Sequence, residues 1–261
     1  MERGRARSRA PRPADRAALE APPPPEAPPP PAEVPRWRFW PVLLSAIAAF
    51  LVANIALVVL GLTRTISFRE LDRLTPEQIG VITVTQDVTL AVVLLVLLRA
   101  WPKVRPAELG FGAPPSPSLA LAVGSGLWLL SFVIAEAQAS MFGDHPQSLI
   151  IAASANRSVV GLAIYLVLGA ALVGVVEELF FRAVLFTLFR QRMRFIYAAL
   201  VSSVVFALVH EITAWLPVFA VGMSLAFLYE RRHSLWTNAL AHGTFNAISF
   251  VLLFLLPSVG S

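Results

Sequence analysis

The chain has 261 residues, of which 57% are hydrophobic and only 14% charged, with a mean hydropathy of +0.70. A soluble domain carries roughly 25% charged residues, so this chain cannot present a water-compatible surface, and a soluble globular protein is excluded. The net charge of +5 does not imply a nucleic-acid partner: seven of the 21 basic residues are arginines in the first 36 positions, as expected for cytoplasmic charge bias in a membrane protein.

Residues 1–36 hold 11 of the 21 prolines, including the run from Pro22 to Pro31 interrupted only by Glu26 and Ala27. Such a segment has too little apolar surface to offset the entropy of folding, which predicts a disordered, Pro/Arg-rich cytoplasmic tail. The apolar stretch after it starts too late and runs too long for a cleavable signal peptide. Phe39 to Thr63 contains no charge and is bracketed by Arg38 and Arg64. Its length suffices to cross about 30 Å of hydrocarbon. Further apolar segments lie at 79–98, 118–138, 158–189, 195–210, 214–230 and 236–257. The expectation is an all-α, polytopic membrane bundle of about seven transmembrane helices. The connection from Trp101 to Pro117 carries Pro102, Pro106, Pro114, Pro115 and Pro117, which suits an irregular, surface-lying link. Three parts follow: the tail at 1–36, the first membrane helices and linker at 37–117, and a core at 118–261. With no cysteine in the chain, disulfides, cysteine-based zinc sites and thiol catalysis are excluded.

Loop charge sets the orientation. With the N-terminus in the cytoplasm, sixteen basic residues fall in inner segments and four (Arg64, Arg69, Arg73 and Arg157) in outer ones. Seven helices then leave the N-terminus inside and the C-terminus outside. The Ala-, Arg- and Pro-heavy composition hints at a GC-rich genome, and so at a bacterial plasma membrane.

Ionisable groups inside a bilayer cost about 2.5–3.5 kcal/mol each on insertion scales, which makes each one a functional candidate. Glu177, Glu178 and Arg182 lie in one apolar run. Glu178 and Arg182 are four apart on one helical face, acid before base, and can pair. That leaves Glu177 about 100° away without a local partner. On two other segments, Phe206 and His210 share a face, as do His242 and Asn246. Counted from the nearest basic residues on the inner side (Arg190, Arg194 and Arg232), Glu177, His210 and His242 lie at depths of about 20, 24 and 15 Å. One buried polar pocket can therefore hold a carboxylate, two imidazoles and an amide.

Glu-Glu-x-x-x-Arg at 177–182, Phe-x-x-x-His at 206–210 and His-x-x-x-Asn at 242–246, in that order on membrane helices, resemble the CPBP family of intramembrane endopeptidases, also called Abi or CAAX-protease-like. The resemblance covers roughly residues 118–257. It implies hydrolysis of a peptide bond in a membrane-anchored or lipid-modified (CAAX-like) protein or peptide. Amide hydrolysis needs an activated water, a stabilised oxyanion and a proton for the leaving amine. Glu177 is assigned as the base that activates water, with His210 helping to hold that water. Glu178 and Arg182 support the site, as does Phe206, and His242 and Asn246 are suited to donate to the oxyanion. Two readings of metal dependence stay open. Glu177, His210 and His242 are possible zinc ligands from three helices, yet His210-Glu211-Ile212-Thr213-Ala214 begins like a zincin motif and ends in alanine. A glutamate-centred, metal-independent mechanism is favoured.

The partners expected are the bilayer and a membrane protein or peptide substrate, with no nucleic acid. Asp87 and Glu136 are further membrane carboxylates that can line a water path or face a helix partner. His145 and His233 fall in loops, and Trp37, Trp40, Trp101, Trp215 and Trp236 sit near span ends as interfacial anchors. The same polar groups would also suit a transporter, or an inactive membrane scaffold or regulator. A transporter calls for polar residues along a path through both leaflets, whereas these cluster near one depth.

Overall fold

The computed structural model describes residues 36–63, 66–143 and 145–256. The expected tail therefore lies outside the described residues, save for Arg36. Two longer helices come first, α1 (Phe39–Leu62) and α2 (Pro76–Ala100), followed by α3 (Pro117–Phe142). A short helix, α4 (Ser148–Ala155), precedes α5 (Val159–Arg190). The chain then turns through α6 (Phe195–Leu208), α7 (Ile212–Arg232) and α8 (Leu235–Leu255). No strand occurs among the described residues.

Local chemistry starts these helices where the sequence changes character. Thr75 and Gln78 form a reciprocal capping box on α2, with Pro76 at the first helical position. Ser158 accepts from the Gly161 amide at 2.9 Å to open α5, and Ser234 accepts from the Thr237 amide at 3.2 Å to open α8.

Six helices (α1, α2, α3, α5, α7 and α8) are long and apolar enough to cross a membrane. The segment expected as a seventh span, 195–210, is α6, whose 14 residues extend about 21 Å, short of the hydrocarbon thickness. Its end has a visible cause. The His210 ring nitrogen Nδ1 donates to the Phe206 carbonyl at 2.8 Å, taking an acceptor that continued helix would use, and Trp215 Nε1 donates to the His210 carbonyl at 2.9 Å.

The bundle is apolar on both sides. Val58 and Val160 are each 62% exposed on its outside, while Leu94 and Leu188 are sealed within. Lipid is the solvent that suits such a surface. The centre is α5, where every residue from Leu179 to Phe186 is buried. Helix α8 packs against α3 and α5, α6 against α7, and α1 against α2. Small residues let α5 and α8 approach closely: a Cβ on Gly174 would stand 3.0 Å from the Ala239 carbonyl, and one on Gly243 3.0 Å from the Ala170 carbonyl.

The proline-rich link is ordered and fastened to the start of α8. Gly110, in the left-handed region at φ 78°, accepts from the Leu235 amide at 3.2 Å. Trp236 Nε1 donates to the Phe111 carbonyl at 3.1 Å, and the Ser116 amide donates to Thr237 Oγ1 at 3.1 Å.

Candidate active site

Helix α5 is not uniform. Two π-helical segments, Tyr165–Leu172 and Leu179–Phe186, flank an α-helical stretch, Val173–Glu178, that ends in the two glutamates. The π geometry disrupts the regular backbone ladder, and side chains from elsewhere serve carbonyls in both segments. Asn246 Nδ2 donates to the Gly169 carbonyl at 2.9 Å, Ser202 Oγ to Phe181 at 3.0 Å, and Thr187 Oγ1 to Arg182 at 3.1 Å.

Glu178 is fully buried and is the hub of the cluster. Its Oε1 lies 3.0 Å from Arg182 Nη1 and 2.9 Å from His242 Nδ1, and its Oε2 accepts from Asn238 Nδ2 at 2.9 Å. The expected pair with Arg182 is thus present within a larger network. Two hydrogen-bond donors and the Arg182 cation compensate the desolvation of one carboxylate, which is what a buried charge requires. Arg182 is itself 1% exposed, and its guanidinium sits 4.3 Å from the centroid of the Phe206 ring.

Glu177 has a different setting. Its side chain keeps 19% exposure, and Oε2 lies 3.7 Å from His242 Nε2, beyond direct hydrogen-bonding range. His242 therefore stands between the two glutamates: Nδ1–H donates to Glu178, and Nε2 faces Glu177. The Phe206 ring meets both imidazoles edge-on, at 4.8 Å from His210 and 6.0 Å from His242. Glu177, Glu178, Arg182, His242 and Phe206 accordingly come together, with His210 on the same aromatic ring. Asn246 lies one turn beyond His242 with its amide directed to the α5 backbone, so that donor is engaged away from the position expected for an oxyanion contact.

Asn238, missed in the sequence, is fully buried and bridges Glu178 to the Leu225 carbonyl at 2.8 Å. Its signal was available, since Asn238 stands four residues before His242 on the same face of α8. Asp87 sits in a π-helical segment of α2, Val84–Val88, is 7% exposed, and its charge interacts with that of Glu177. Glu136 is exposed on α3, and His145 is exposed in its loop.

Among the described residues, no three His, Asp or Glu side chains converge closely enough to hold a metal ion. The set Glu177, His210 and His242 does not form a ligand shell in this arrangement. Nδ1 of His242 is engaged by Glu178 and Nδ1 of His210 by the Phe206 carbonyl, which leaves Nε2 of each open.

Residues 159–248 match the sequence model of the family described as Type II CAAX prenyl endopeptidase Rce1-like, a stretch that contains every residue of the cluster except Asp87. Over that region the chain is similar to the CAAX-protease-like (CPBP) endopeptidases. A Bacillus subtilis (strain 168) protein named "Putative membrane peptidase YdiL" is 33% identical over 96 residues, which is 36% of this chain. The match spans 38% of that relative's length. No solved structure matches.

Proposed function

We propose that this protein is an intramembrane endopeptidase, with Glu177 as the base that activates water. The observation that carries this reading is the unequal treatment of two adjacent carboxylates. Glu178 is saturated by Arg182, His242 and Asn238, whereas Glu177 is partly exposed and faces an imidazole nitrogen across 3.7 Å. A single water can hydrogen-bond to both atoms across that gap.

Glu177 takes one proton from that water as its oxygen attacks the scissile carbonyl carbon. The carbonyl oxygen becomes an oxyanion, the C–N bond breaks, and the protonated Glu177 returns the proton to the departing amine. His242, oriented by Glu178 through Nδ1, holds the water against Glu177. His210 has Nδ1 engaged with the Phe206 carbonyl, which leaves its Nε2 as a further acceptor, the two O–H groups of that water being taken by Glu177 and His242. Asn246 acts as a positioning residue that secures the π segment ahead of Glu177. The family match supports a protein or peptide substrate anchored in the membrane.

A lipid-modified substrate is supported by a cleft lined only by apolar side chains between α1, α5 and α6, among them Phe50, Phe180 and Val205. The test is cleavage of a lipid-modified peptide by purified protein in vesicles. Glu177→Gln should lower turnover by at least 10²-fold with unchanged thermal unfolding, and chelation of the wild type should change nothing. Full activity in Glu177→Gln would refute the assignment.

A further inference from the structure

A second polar cluster lies at the opposite end of α5 from Arg190. Arg157, just before the span Val159–Arg190, has its guanidinium fixed by a bond from Nε to the Ser154 carbonyl at 3.1 Å. Its Nη2 is buried and has no hydrogen-bond partner, and Arg157 forms no ion pair among the described residues. Tyr165, 6% exposed and stacked on Phe250 at 5.2 Å, likewise buries a hydroxyl without a partner. Both side chains line one cleft, together with Asn156, Leu162 and Leu253. Leaving a buried donor unsatisfied is costly, and more so where it is charged. Two such donors from different segments call for one acceptor, and the cation calls for a negative one. Glu77 does not fill that role: it is exposed, and its charge acts on Tyr165 without contacting Arg157.

We propose that this cleft binds the phosphodiester of a membrane phospholipid. Arg157 stands two residues from a membrane span, the level at which headgroups lie. The cleft is also lined by Leu162, Phe250, Leu253 and Phe254, an apolar wall against which an acyl chain can lie. A free phosphate would use the donors and leave that wall uncovered, so an amphipathic ligand fits better than a small anion.

The test is native mass spectrometry of the full chain, delipidated in detergent and titrated with phosphatidylglycerol, diacylglycerol or inorganic phosphate. Phosphatidylglycerol should bind at least tenfold more tightly than diacylglycerol. Arg157→Gln should lose about tenfold in that affinity and Tyr165→Phe several-fold, while Arg231→Gln, at the other end of the bundle, should match the wild type. Tyr165→Phe removes only a hydroxyl, so it remains informative should Arg157→Gln fail to fold. Equal binding of diacylglycerol, or wild-type affinity in both cleft variants, would overturn the proposal. Displacement of the lipid by millimolar inorganic phosphate would reassign the site to a small anion and overturn the lipid assignment.

Discussion

Glu177 and Glu178 are neighbours in sequence with opposite fates. Glu178 points into the core, where one guanidinium, one imidazole and one amide meet it, and Glu177 points toward a half-open space beside His242. Removing the Glu178 charge would strand Arg182, which is 1% exposed. Loss of one partner from a buried ion pair costs about 3–5 kcal/mol. Glu178→Gln should therefore lower thermal stability sharply in detergent, whereas Glu177→Gln should leave it intact. Asn238→Ala removes one donor from a buried carboxylate and should cost about 1.5–3 kcal/mol, measurable in the same melts. The Glu178–Arg182 pair was legible because a four-residue spacing is a local fact. The link from Asn246 to Gly169 was not, because it depends on a carbonyl in a π-helical segment of another helix.

At the scale of helices, the site depends on how closely α5 and α8 approach. Gly174→Ala would push a methyl group to 3.0 Å from the Ala239 carbonyl and 3.1 Å from the Gly243 amide. The helices must separate, widening the His242–Glu177 gap, so peptidase activity should fall more than stability does. The hydropathy pattern located the helices well, but a continuous apolar run does not show whether a helix completes its crossing. Helix α6 stops early because His210 and Trp215 take carbonyls at its end, and that requires their side-chain directions. At the α7–α8 junction, His233 adopts the left-handed region at φ 44°. Burial pushes its imidazole below its ordinary value of 6.5, Glu230 acts in the opposite direction, and Arg190 adds to the lowering. The native state thus favours neutral His233, so this contribution is complete above about pH 6.5 and is lost as pH falls through the lower folded value. His233→Asn tolerates the same backbone and should flatten that acid-side loss in melts taken from pH 7 to 5.

At the scale of the molecule, the long apolar helices and the shorter α6 hold a polar cluster that no lipid-facing surface would tolerate. Composition alone excluded a water-soluble protein, and three spaced motifs identified the residues that the fold gathers. Their division of labour came from tertiary contacts: which glutamate is saturated, which imidazole nitrogen is committed, and which amide supports a π segment. The central claim is that Glu177 drives peptide-bond hydrolysis in a membrane substrate. Its most direct test is mass spectrometry of membrane-protein termini in cells expressing either the wild type or Glu177→Ala at equal levels. At least one new terminus should appear with the wild type and be absent with Glu177→Ala; identical sets of termini would contradict the claim and favour a non-catalytic role.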